Sequence, residues 1–178
     1  MTAWRHIKVG DIVRVNENEF FPADMVVLSS SEDQGMFYVE TKNLDGETNL
    51  KLKTVSKDML ETFKNLSVSG ELQGTLNIET PNNRIYKFDG NFDLAKMRVS
   101  ASIDNASISD VDFSSLVPLS NENVALRGMS LRNSESVTGI IVYTGHDSKI
   151  QMNSAGAVYK TSNISRRTNK LILQVFFI

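Results

Sequence analysis

The residues best suited to chemistry lie in one short polar stretch, LDGET at 44–48. Asp45, Glu47, Thr48 and Asn49 crowd polar groups around Gly46, between two runs of alternating apolar residues. Asp45-Gly46 is a turn signal, because glycine accepts a positive φ at little cost. A lone loop glutamate is ordinarily a solvated surface group. This one stands on a tip held between strands, where a carboxylate can enter a site on another domain. There Glu47 can orient a water and take its proton, provided the two come within hydrogen-bond reach. The chain itself offers no electrophile for that water to attack.

Other chemistries find less support. His6 and His146 are isolated, without partners at metal-ligand spacing, and both read as surface or turn residues. There is no cysteine, which excludes a disulfide framework or a thiolate metal site and suits a reducing compartment. Serine is abundant, but no GxSxG elbow is present, and no GxxxxGK[ST] loop for nucleotide phosphates. Arg127, between Leu126 and Gly128, would need several acceptors if buried. Arg5, Lys8 and Arg14 read as scattered solubilising charges in preference to a membrane-facing or domain-facing surface, and Trp4 and the Phe20-Phe21 pair as core aromatics in preference to interface ones.

The elements that must position the DGET loop are short strands. IKVGDIVRV at 7–15 alternates around a Gly-Asp turn, and Met25 to Leu28 reads as a short buried strand after Pro22. Phe37, Val39 and Thr41 alternate before the loop, and Leu50, Leu52 and Thr54 alternate after it. Ser56 is placed to cap a short helix with Met59, Leu60 and Phe63 on its apolar face. Strand-like runs fill 72–88, broken by Pro81-Asn82-Asn83, and 101–115 is a Ser/Asn/Asp-rich loop. Val137 to Tyr143 is β-branched and apolar, a firm strand. Short helices are expected near 147–152 and from 163–165 onward.

With 178 residues, 40% hydrophobic and 22% charged, the chain suits one ordinary globular domain. A net charge of -2 argues against a nucleic-acid partner. Many short strands, few helices and no βαβ rhythm predict a mainly β fold, a distorted sandwich or jelly roll. LILQVFFI at 171–178 follows the basic residues Lys160, Arg166, Arg167 and Lys170. It reads either as a core element or as the start of a membrane helix with positive flanks on the cytosolic side; the second is expected.

At DGETNLK, 45–51, the sequence resembles the phospholipid-translocating type IV P-type ATPases. The likeness extends in order through VGDIV at 9–13, FPADM at 21–25, VETKNLDGETNLK at 39–51 and GELQGTLNIETPNNRIYKFDG at 70–90. It continues through PLSNENVALRG at 118–128, LRN at 131–133, VYTGHDSKI at 142–150, and weakly at K-x-S, 160–162, and Asn169. The resemblance implies a mainly β actuator domain, a distorted jelly roll of double-stranded β-helix type with short peripheral helices. That domain would occupy 1–162, with a surface insertion at 96–115; 163–178 would be a linker and the cytosolic start of the third transmembrane helix.

By the same resemblance Glu47 positions the water that hydrolyses an aspartyl phosphate, while Asp45, Gly46 and Thr48 shape its loop. The implied partners are the phosphorylation and nucleotide-binding domains of the same polypeptide, a phospholipid reached through membrane helices, and an accessory membrane subunit. ATP and Mg2+ would bind those other domains, and none of them this segment. The full-length protein would be a multi-pass membrane enzyme with this domain facing the cytosol, and the segment alone inactive. Ser136 stands where the family usually has a tryptophan, 156–159 lacks the usual proline, and 96–115 matches no motif. The runner-up reading is an interaction module that kept the fold and lost the partner chemistry. The enzyme reading requires an exposed DGET loop.

Overall fold

The computed structural model describes residues 3–63, 71–100, 116–154 and 163–176. Among them ten strands form three antiparallel sheets, with four short α-helices at the periphery. The expected mainly β architecture is present.

The first sheet joins β1 (Ile12–Asn16), β10 (Ser136–Tyr143), β2 (Asp24–Ser30) and β8 (Val124–Ala125) in that order. β2 is the centre of the core: Met25, Val26, Val27 and Leu28 are all buried, so it reads as a continuous apolar run rather than an alternation. β10 crosses it closely at Gly139. A Cβ there would stand 2.4 Å from Met25 Cε and 2.4 Å from the Val26 carbonyl oxygen, so only glycine fits. β1 begins at Ile12 rather than Ile7. Gly10, at φ +93°, turns the chain first, and the Lys8 amide donates to Asp11 Oδ2 at 2.8 Å.

The second sheet runs β4 (Leu50–Thr54), β3 (Met36–Glu40), β9 (Ser130–Arg132). β3 follows the expected alternation, with Phe37 and Val39 inward. β4 does not. Leu50 and Leu52 are exposed, and Lys53 lies inward at 5% exposure, its ammonium donating to the Asn121 carbonyl at 2.5 Å. Burial lowers the Lys53 pKa from 10.5 to about 8, helped by the neighbouring Lys51 charge. The unfolded chain therefore binds more protons between those two values, and stability should rise with pH across that window by up to about 3 kcal/mol. Urea denaturation from pH 7 to 10.5 checks this: Lys53→Met should flatten the profile and be the more stable at pH 7.

The third sheet is β5 (Glu71–Ile78), β6 (Gly90–Ser100) and β7 (Leu116–Leu119). Residues 96–100, assigned above to an insertion, continue β6, while 101–115 fall outside the described residues. Helix α2 (Lys57–Phe63) buries Met59 and Phe63, and Phe63 meets Phe92 of β6 edge to face. Helices α1 (Lys42–Asp45), α3 (Lys149–Ser154) and α4 (Asn163–Phe176) complete the set. No helix among the described residues is long and apolar enough to cross a membrane.

Two aromatic expectations are corrected. Trp4 and Phe20 are about half exposed; of the three candidates for the core, Phe21 alone is fully buried. Arg14 finds a partner in Ser136, its Nη2 donating to Ser136 Oγ at 2.8 Å.

Candidate active-site loop

The DGET residues connect two paired strands. Glu40 at the end of β3 faces Leu50 at the start of β4, so residues 41–49 form a loop closed at both ends by the sheet. Its first part is the single turn α1. Leu44 packs against the core, and Asn43 Nδ2 donates to the Gly128 carbonyl at 3.3 Å. Gly46 ends the turn in the left-handed conformation, φ +77° and ψ 0°, its amide bonded to the Lys42 carbonyl at 3.1 Å. Beyond its immediate neighbours along the chain, no atom of the described residues lies within 4 Å of where its Cβ would stand. Within the chain, then, the glycine is required by backbone conformation rather than by crowding.

Asp45 is the hub. Its Oδ1 accepts from Thr41 Oγ1 at 2.9 Å and from the Glu47 amide at 3.0 Å, an Asx turn that shapes the tip. Its Oδ2 accepts from Lys51 Nζ at 2.6 Å and from the Tyr86 hydroxyl at 3.0 Å. Burial of the side chain pushes the Asp45 pKa up. The hydrogen bonds from Lys51, the Glu47 amide, Thr41 and Tyr86 outweigh it and hold the carboxyl well below the usual carboxylate range. A carboxylate with all these donors on it is a fixed anion, not a base free to move.

Glu47 is the opposite. Its side chain is 56% exposed, and Oε2 meets Lys51 Nζ at 3.0 Å. Thr48 and Asn49 are exposed beside it. The structure thus places Asp45, Gly46, Glu47 and Thr48 on one exposed loop, where the Glu47 side chain is open at 56% and that of Asp45 largely covered at 14%. Reasoning from sequence missed Thr41, Lys51 and Tyr86 as supports. Lys51 was within reach, as the last residue of DGETNLK, but Tyr86 is 41 residues from the Asp45 it touches.

The remaining candidates fall elsewhere. His6 and His146 are both exposed. Arg127 is half-buried, with Nη1 donating to the Gly145 carbonyl at 3.3 Å. Its amide, with that of Lys149, donates to the buried Asp24 carboxylate at 2.8 and 2.7 Å. Burial raises the Asp24 pKa, against these two amides and the nearby charges of Lys149 and Arg127. A shallow cavity of about 240 Å³ opens between Phe20, Glu40, Lys42, Asn43, Ser130 and Arg132. Its main charges neutralise one another, since Arg132 Nη2 holds Glu40 Oε2 at 2.8 Å. Among the described residues no group of three His, Asp or Glu could hold a metal ion.

Comparison with known proteins gives the segment its context. No family model matches the chain. It is 40% identical, over 97% of its length, to phospholipid-transporting ATPase 6 of Arabidopsis thaliana. It is 40% identical over 96% to phospholipid-transporting ATPase C887.12 of Schizosaccharomyces pombe, and 35% identical over 98% to phospholipid-transporting ATPase tat-1 of Caenorhabditis elegans. The chain spans 12 to 14% of the length of these relatives. Matched along nearly all of its own length, the chain is similar to one domain-sized stretch of each of these phospholipid-transporting ATPases, as a single domain of a type IV P-type ATPase would be.

Proposed function

We propose that residues 1–162 are the actuator domain of an ATP-driven phospholipid flippase, and that Glu47 is the base that directs water onto its phosphorylated intermediate. One observation carries the reading. The Glu47 carboxylate is open to a partner surface on a tip whose backbone is fixed by Asp45, while Asp45 itself is fully engaged. In this mechanism the phosphoryl group drawn from ATP is held on an aspartate of a separate domain of the same polypeptide, so that hydrolysis proceeds in two steps. The tip docks there. Glu47 accepts a proton as the water oxygen bonds to phosphorus. The bond from phosphorus to the aspartate oxygen breaks, its electron pair returns to that carboxylate, and phosphate leaves. Mg2+ and ATP belong to the partner domains, where the cation would stabilise charge on the phosphoryl oxygens.

Docking and withdrawal of a rigid domain would couple this step to movement of lipid toward the cytosolic leaflet. Residues 163–178 would then lead into the third membrane helix of a multi-pass protein. Exposed Leu50 and Leu52, on the edge strand just beyond the tip, supply apolar surface for the docked state. A cysteine placed at Thr48 in the full-length protein tests the docking. Alkylation of its peptide, followed by mass spectrometry, should fall several-fold when the protein is phosphorylated by ATP. Equal labelling with and without phosphorylation would favour an interaction module without this chemistry.

A further inference from the structure

The tip carries a cation that the mechanism above does not use. Lys51 projects from β4, where its backbone is paired with Val39, so its base is fixed by the sheet. Its ammonium donates to Asp45 Oδ2 at 2.6 Å and contacts Glu47 Oε2 at 3.0 Å. The same nitrogen lies 5.3 Å from the centre of the Tyr86 ring, and the Tyr86 hydroxyl closes the circuit on Asp45. The strong contact with Asp45 raises the Lys51 pKa, so the ammonium stays charged.

An exposed ion pair such as Lys51–Glu47 adds little to stability. Its geometry matters more. A solvated glutamate explores many rotamers. Here one oxygen, Oε2, is tied to a nitrogen that is held by a strand, a carboxylate and an aromatic ring. The side chain as a whole stays 56% exposed, so the carboxylate remains reachable from solvent. Resting on the assignment of Glu47 as base, we infer that Lys51 is its positioning residue, and that Tyr86 keeps Lys51 in place from the loop between β5 and β6. The pair aims one oxygen of the carboxylate and leaves it free to take the proton.

Misplacing a reacting group by about an ångström costs on the order of 10²-fold in rate. In the full-length protein, Lys51→Met should slow breakdown of the phosphoenzyme by about 10- to 100-fold, with its formation unchanged. Lys51→Arg keeps the charge and should recover part of the loss. Tyr86→Phe keeps the ring and removes the hydroxyl, and should slow breakdown by a smaller factor. The decisive variant is the double one. If Lys51 acts only through the Glu47 carboxylate, Lys51→Met adds nothing to Glu47→Gln; a merely structural support would slow it further. Additive losses, or wild-type or faster breakdown in Lys51→Met beside a slow Glu47→Gln, would overturn the inference. Normal breakdown in Glu47→Gln itself would instead remove the function proposed for the loop.

Discussion

Glu47→Gln in the full-length protein should accumulate phosphoenzyme, its breakdown slowed by about 10²- to 10⁴-fold, the range that a positioned general base contributes. Glutamine has nearly the size of glutamate, and the side chain is 56% exposed, so the fold has no packing reason to respond. What is lost is basicity. The amide oxygen still accepts a hydrogen bond from water but does not take its proton. Formation of the phosphoenzyme uses none of this and should proceed at its normal rate. An acid-quenched time course after an unlabelled ATP chase separates the two steps. Normal decay of the intermediate would remove Glu47 from the reaction.

Lys149→Met should destabilise the chain by about 3 kcal/mol, at the lower end of what breaking a buried ion pair costs. Lys149 opens α3 yet is fully buried. Its ammonium holds Glu79 Oε1 at 2.8 Å and Asn82 Oδ1 at 2.9 Å, and lies 5.9 and 6.0 Å from the ring centres of Phe88 and Tyr143. Methionine fills the space but leaves Glu79, 13% exposed, without its close cation; Arg84 at 3.8 Å compensates in part. For a domain of this size the melting temperature should fall by roughly 6–12 °C. The sign with pH follows from Glu79. Burial raises its pKa, but the bond from Lys149 and other partners outweigh that and hold it below its ordinary value. The pair's contribution is therefore present above that ordinary value and lost as the pH falls through the lowered one. The gap between wild type and variant should narrow in acid. A gap constant with pH would show that methionine costs through packing alone.

Much of this architecture is legible in local pattern. β2, β3, α2 and β10 follow apolar runs, alternation or helical spacing, and Asp45-Gly46 marks the exposed tip. β4 shows where pattern fails. A one-residue change of phase exchanges the two faces of a strand, and LKLKT reads naturally with leucines inward. The structure turns Lys53 inward instead, where the Asn121 carbonyl receives it, and this acceptor is 68 residues away. Trp4 and Phe20 fail for a different reason: apolar residues are common on surfaces, so hydrophobicity alone does not place one in a core. Lys149 and Tyr86 were invisible because their partners are tertiary. Nothing in the spacing of PNNRIYKFDG says that its tyrosine meets Asp45 or that its asparagine meets a lysine of α3.

That last segment links two sites in a single turn of chain. Asn82, with neighbouring Glu79, is bolted to Lys149, while Tyr86, four residues on, touches the DGET tip. Its length is therefore set like that of a strut between two fixed points. Removing one residue between Asn82 and Tyr86 should retract the tyrosine and leave the tip intact but unsteadied, a lesion in timing that no alignment of the DGET residues would reveal.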